Sequence, residues 1–171
     1  SPRTLVKVLN RVFSGFDEVA ERCGVEKIKT IGDAYMVAGG LPEPQPDHEA
    51  AVALMALDLL ACCRRISEQV GEPVEVRIGL DTGPVVAGVI GPNKLLYDVW
   101  GDTVNIASRM ESAGEIGQVN ISETLYELIK DQYDCSYRGK ISAKNIGDID
   151  MYFVNHLKTD VEEVELAKYA S

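Results

Sequence analysis

The chain has 171 residues, 46% hydrophobic and 26% charged, and carries a formal net charge of -10 at pH 7. This composition is typical of a soluble globular domain with a core, and the acidic balance disfavours sequence-independent binding to nucleic acid, which needs a basic surface. Four cysteines without zinc-finger spacing indicate reduced thiols, and the longest apolar run, residues 50–63, is shorter than the roughly 20 residues that a membrane helix needs.

Hydrophobic periodicity divides the chain into interleaved helices and strands. In chain order it predicts a helix at residues 3–23, strands at 25–31 and 34–38, and a helix from Asp47, its N-cap, to about 69. It then predicts strands at 74–80 and 85–90, a short segment at 97–100, a helix at 102–111 capped by Asp102, a strand at 118–121, a helix at 122–130, and strands at 137–143 and 151–156. This order indicates an α+β fold, with helices packed on a mostly antiparallel sheet.

The helix predicted at 102–111 carries two polar side chains on one face. Asn105 and Arg109 are four residues apart, so they lie on the same side of that helix. An amide and a guanidinium placed in this way could hold a sugar oxygen and a phosphate, because the arginine fork matches phosphate oxygens. Spacing alone favours the plainer interpretation, a solvated polar face.

The other charged residues of interest are ambiguous when each is taken alone. Lys29 and Arg77 lie in predicted strands, where a charged side chain is usually solvated. Asp33 and Asp98 occupy positions at which a turn-forming residue would also serve. None of these residues indicates a binding site by itself.

The combination of segments is more specific than any single residue. In order, the chain contains EKIKTIGDAYMVAGGLP, VEVRIGLDTGPVVAGVIG and YDVWGDTVNIASRMES, followed by Lys144 and Tyr152-Phe153. These segments strongly resemble the catalytic domain of class III nucleotidyl cyclases, in particular homodimeric, membrane-anchored bacterial adenylyl cyclases of mammalian type, such as mycobacterial ones. The resemblance implies a ferredoxin-like βαββαβ catalytic domain at residues 1–155, and it leaves 156–171 as an acidic C-terminal tail.

The resemblance implies that ATP is converted to 3′,5′-cyclic AMP and pyrophosphate by in-line attack of the ribose 3′-hydroxyl on the α-phosphate. Displacement at phosphorus of this kind uses divalent cations, so two Mg²⁺ or Mn²⁺ ions per site are expected. Asp33 matches one of the family's two metal-binding aspartates. Asn105 matches the residue that orients the ribose, and Arg109 matches the one that stabilises the pentavalent phosphorus. Arg77 and Lys144 match cations that hold the triphosphate.

Lys29 and Asp98 match the pair of residues that recognises the base. Adenine presents an acceptor at N1 and an amino donor at N6, which suit a lysine and an aspartate, whereas guanine presents the opposite polarity. The backbone of Val99 and Trp100 is expected beside the base. Guanylyl members usually carry glutamate at the position of Lys29, so the resemblance favours ATP, with a guanylyl cyclase as the alternative of the same chemistry.

The resemblance also implies that each site forms between two cyclase domains. Because Asp33 and the base-recognising residues occur in one chain, two identical chains could build two equivalent sites across a two-fold axis. The family's other metal aspartate and its first strand have no counterpart after Ser1, so the first strand is expected to be missing and this fragment to be poorly active or inactive. We also expect a cytoplasmic domain of a parent protein anchored in the plasma membrane by segments outside this chain. A non-catalytic cyclase-like dimerisation or signalling module is the alternative from another class.

Overall fold

The structure is a computed structural model that describes residues 1–93 and 96–158. Most of the tail predicted at 156–171 therefore lies outside the described residues. The chain divides into two compact units, here called the first unit (Ser1–Val76 and Pro84–Val104) and the second unit (Arg77–Gly83 and the chain from Asn105 onward).

The order of helices and strands expected from hydrophobic periodicity is confirmed, and so is the α+β class. The elements are α1 (Pro2–Cys23), β1 (Glu26–Ile31), β2 (Ala34–Ala38), α2 (His48–Val70), β3 (Ile78–Leu80), β4 (Val86–Ile90), β5 (Leu96–Trp100), α3 (Asp102–Ser112), β6 (Val119–Ser122), α4 (Glu123–Ile129), β7 (Tyr133–Ala143) and β8 (Gly147–Leu157). The strand pairs β1–β2, β4–β5, β6–β8 and β7–β8 are antiparallel, and β3–β6 is parallel.

Helices α1 and α2 pack against each other in the first unit. Their approach is close at Gly15, where a Cβ atom would lie 2.7 Å from the Cys62 sulfur, so a larger residue would force the helices apart. The β1–β2 hairpin packs on α1 through Tyr35, whose ring centroid lies 5.4 Å from those of Phe13 and Phe16. Among the described residues, no helix combines the length and the apolar character that crossing a membrane requires.

A four-stranded sheet in the order β3-β6-β8-β7 forms the second unit. All four residues of β6 are buried, and Asn120 donates a 2.9 Å hydrogen bond to the Met110 carbonyl of α3. Helix α3 lies so close to β3 that a Cβ at Gly79 would be 1.9 Å from the Glu111 nitrogen. Only glycine fits there, and this contact fixes the C-terminal half of α3 against the strand.

Several predicted boundaries are wrong. Strand β3 begins at Ile78 rather than at 74, so Arg77 precedes the strand instead of lying within it, and the Val74 amide donates to Ser67 Oγ at the end of α2. Strands β7 and β8 are both longer than predicted, because they pair with each other over almost their whole length. Asp47 occupies the N-cap of α2 without a capping hydrogen bond from its side chain. Asp102 is the first residue of α3.

Candidate functional site

Lys29 and Asp98, 69 positions apart in sequence, meet in the first unit. Lys29 Nζ donates a 2.8 Å hydrogen bond to Asp98 Oδ2, and the Val99 amide donates to Asp98 Oδ1, also at 2.8 Å. The hydrogen bond from Lys29, followed by that from the Val99 amide, lowers the pKa of Asp98 below its ordinary value. Asp98 is therefore held as a carboxylate, directly beside the lysine ammonium.

A β-bulge in β1 gives Lys29 its direction. Lys27 and Lys29 would share one face of a regular strand, but the register against β2 shifts between them. Lys27 Nζ instead lies 3.1 Å from Asp17 Oδ1 on α1, whereas Lys29 contacts Asp98 on β5. The bulge thus separates a lysine that fastens the hairpin to α1 from a lysine that pairs with Asp98 on β5.

The face of the β4–β5 hairpin that carries Asp98 is largely apolar and exposed. Register pairs Gly88 with Asp98, and cross-strand partners share a face of the sheet. The flanking pairs on this face are Val86 with Trp100 and Ile90 with Leu96, and all four of those side chains are exposed. We call this surface the Asp98 face.

Asp33 lies in the exposed turn between β1 and β2. Within the described residues its side chain has no hydrogen bond or ion pair, and no group of three or more His, Cys, Asp or Glu residues could hold a metal ion. Asp33 offers one carboxylate, whose oxygens suit a hard divalent cation. A two-metal centre needs more ligands than one carboxylate, so Asp33 alone does not form such a centre.

The second unit carries the predicted ribose and phosphate residues. Asn105 and Arg109 are both exposed on α3, as their i, i+4 spacing predicts. Arg109 Nη2 donates a 3.2 Å hydrogen bond to the Ser142 carbonyl at the end of β7. Lys144 follows two residues later, in the exposed turn between β7 and β8. The Arg109 guanidinium is thereby held against the strand end that leads into this turn.

Arg77 has a partner that the sequence did not indicate. Its Nε and Nη2 atoms lie 3.2 Å and 3.0 Å from Glu111 Oε2. The Arg77 stem also passes Gly114, where a Cβ would be 3.5 Å from Arg77 Cγ. Glu111 stands two residues after Arg109, but a single sequence gives no signal that pairs it with a residue 34 positions away. The C-terminal end of α3 therefore binds Arg77 through Glu111 and exposes Arg109.

A family model described as the adenylate and guanylate cyclase catalytic domain matches residues 1–156. The chain belongs to this family of class III cyclases. An adenylate cyclase of Mycobacterium bovis is 46% identical to this chain over 154 residues. The alignment covers 90% of the chain but 35% of the relative, so the chain spans about a third of that relative's length.

Solved cyclase structures share the fold. The guanylate cyclase domain of RhGC from Catenaria anguillulae, in complex with GTP, has a TM-score of 0.87 and 37% identity, covering 92% of this chain and 87% of that one. The adenylyl cyclase CyaB from P. aeruginosa has a TM-score of 0.85 and 32% identity, covering 92% and 85%. Cyclases of this class generally depend on divalent metals, and they include enzymes named for either nucleotide. Family membership therefore leaves the base to be decided by the site.

Proposed function

We propose that this domain is an adenylyl cyclase, which forms 3′,5′-cyclic AMP and pyrophosphate from ATP. Family membership supports the cyclisation, and the Lys29–Asp98 pair supports the choice of base. Adenine carries its N1 acceptor next to its N6 donor, so an ammonium beside a carboxylate matches that edge. A guanine in the same orientation would set its N1 proton against Lys29 and its O6 against Asp98. The pair at 2.8 Å is the observation on which the proposal rests.

The remaining roles are assigned within each unit. In the first unit, the backbone of Val99 and Trp100 lies beside the base. In the second, Asn105 orients the ribose, and Arg109 stabilises the charge that develops at the α-phosphate. The guanidinium of Arg109 has five N–H donors, and its Ser142 contact employs one nitrogen, so donors remain for phosphate oxygens.

Two further cations, Arg77 and Lys144, are proposed to hold the β- and γ-phosphates. Arg77 is exposed enough to reach a ligand while Glu111 orients its fork. Lys144 lies in an exposed turn and has no hydrogen bond or ion pair within the part of the chain described by the structure. Lys144 therefore offers positive charge in a chain whose net charge is negative, and Arg77 offers the guanidinium donors that Glu111 does not occupy.

Asp33 is proposed as one ligand of a divalent cation, two Mg²⁺ or Mn²⁺ ions being expected per site. Such cations, when bound, offset the charge of the triphosphate. The exposed carboxylate of Asp33 suits this role, but it would need further oxygen ligands. This chain on its own is therefore expected to be poorly active or inactive.

A second identical chain is proposed as the partner that completes the enzyme. The Asp98 face exposes apolar side chains on both sides of Asp98, and such a patch on a hairpin is typical of an interaction surface. A two-fold arrangement of identical chains would produce two equivalent sites. We further propose that the domain lies in the cytoplasm, in a parent protein anchored in the plasma membrane. Fractionation of the parent protein tests this location.

Formation of cyclic AMP from ATP and Mn²⁺ tests the proposed reaction, in the full-length protein that contains this chain. The matched control is Arg109→Ala, which removes transition-state stabilisation and is expected to lower kcat by roughly 100-fold or more. Chromatography with light scattering reports association in the same samples. A protein that dimerises but forms no cyclic nucleotide from ATP or GTP would be a non-catalytic cyclase-like module instead.

A further inference from the structure

Gly88 lies in the middle of β4, at a position where the fold does not require glycine. Its backbone is not in the left-handed region, and a Cβ built there would meet only Trp100 Cζ3, at 3.8 Å, among the described residues. That separation is an ordinary van der Waals contact. Glycine weakens a strand because it packs nothing and increases the entropy of the unfolded chain. Neither the backbone conformation nor packing against the residues that the structure describes explains why a side chain is absent here.

Two other glycines show what a structural requirement looks like. A Cβ at Gly79 would be 1.9 Å from a backbone nitrogen, and one at Gly15 would be 2.7 Å from a sulfur. Both glycines let two elements of the same chain come together. At Gly88, within residues 1–93 and 96–158, the one atom near such a Cβ is Trp100 Cζ3, at van der Waals distance, so a ligand could use this space.

The open space at Gly88 lies next to the Lys29–Asp98 pair. Gly88 is the cross-strand partner of Asp98, so both lie on the Asp98 face, and Asp98 is bonded to Lys29. Every other residue of β4 carries a side chain, as the sequence Val-Ala-Gly-Val-Ile shows. Gly88 therefore leaves a gap in the strand surface, directly beside the Lys29–Asp98 pair and bordered by the Trp100 ring.

We propose that Gly88 is a base-binding and specificity-determining position, which rests on the proposed nucleotide cyclase function. The flat face of the purine packs on the bare backbone at Gly88, while its edge meets Lys29 and Asp98. A strand glycine without a structural requirement often marks the close approach of a ligand. A side chain at this position would lift the ring away from the strand and misalign its edge with the pair.

Gly88→Ala and Gly88→Val in the full-length protein test this role, with Ala87→Val as the matched control. Ala87 is exposed on the same strand, and its side chain points to the opposite face. Gly88→Val is expected to raise KM for ATP by about tenfold or more and to weaken binding of a fluorescent ATP analogue equally, with Gly88→Ala intermediate. The melting temperature of Gly88→Val should be equal to or higher than that of the unsubstituted protein. Ala87→Val should change these values by less than about twofold.

Inhibition by inorganic tripolyphosphate separates contact with the base from a general disturbance. Tripolyphosphate has no purine, so its inhibition constant should be the same in the unsubstituted protein and in Gly88→Val. An unchanged KM for ATP, a large fall in melting temperature, or an equal loss of tripolyphosphate inhibition would each overturn the proposal. The proposal would also be overturned if Gly88→Val lost self-association and nothing else. That result would mean that a partner protein, rather than a purine, occupies the space at Gly88. An unsubstituted protein that neither binds nor converts ATP or GTP would instead overturn the proposed function itself, and this proposal with it.

Discussion

Lys29 Nζ lies 2.8 Å from Asp98 Oδ2, which joins strands β1 and β5 through one ion pair. Each partner is held from its own side, since the β1 bulge directs Lys29 and the Val99 amide anchors the Asp98 carboxylate. Donor and acceptor are therefore presented side by side with little freedom. The two side chains are coupled through this ion pair, so a change in either alters the surroundings of the other.

Lys29→Glu is expected to lower kcat/KM for ATP by about tenfold or more, because a donor that matches adenine N1 is replaced by an acceptor. The substitution also places two carboxylates together, which raises the pKa of Asp98 from its present low value. Steady-state kinetics with ATP and GTP measure the change in preference. Lys29→Met removes the positive charge without adding a negative one, so its kcat/KM for ATP should fall less than that of Lys29→Glu. Equal ATP kinetics for Lys29→Glu and the unsubstituted protein would show that this lysine does not contact the base.

Glu111→Gln is expected to raise KM for ATP while leaving kcat nearly unchanged, because Arg77 loses the carboxylate that orients it. The pair is partly exposed, so the effect should be about twofold to fivefold, the size of a surface ion pair. Glu115→Gln is the control, since Glu115 pairs with Arg138 at 3.9 Å and not with Arg77. A fall in kcat with constant KM would contradict the assigned role.

Gly79→Ala is expected to destabilise the domain by about 3 kcal/mol or more, because its Cβ would collide with the backbone of α3. Urea unfolding measures the loss. Gly88→Ala is the matched control, since its Cβ has room. Similar stabilities for the two variants would show that the β3–α3 contact can relax.

Asp81→Asn is expected to stabilise the domain progressively more as the pH rises above 3.8, the ordinary pKa of an aspartate, and through the raised pKa of Asp81 in the folded domain. Burial raises the pKa of Asp81, despite hydrogen bonds from Ser122 and the Thr82 amide that lower it. A raised pKa contributes stability below the pKa of the unfolded chain, and that contribution is lost as the pH passes the folded pKa. Asparagine has no ionisable carboxyl group, so the stability of Asp81→Asn does not fall with pH in this way. Urea unfolding at several pH values gives the difference between the two proteins, and a constant difference would exclude the assigned cause.

The sequence predicted the order of elements well, because amphipathic periodicity survives in α1, α2 and the hairpin of β1 and β2. It predicted the start of β3 poorly, since Val74 has strand-forming character but bonds to α2 instead. Tertiary context overrides local propensity at such positions.

The candidate site residues come from family resemblance rather than from spacing. The structure brings Lys29 and Asp98 into contact, but the bulge that directs Lys29 has no signal in one sequence. The Arg77–Glu111 pair was missed for a similar reason, because it depends on how α3 lies on β3. Side-chain partners of this kind follow from packing and not from the order of residues.

Relative kcat/KM for ATP and GTP, measured with Mn²⁺ on the full-length protein, tests the central claim most directly. The Lys29–Asp98 pair predicts cyclic AMP as the main product and a preference for ATP of about tenfold or more. Equal or faster turnover of GTP would contradict the assignment of this pair to adenine and would make the domain a guanylyl cyclase.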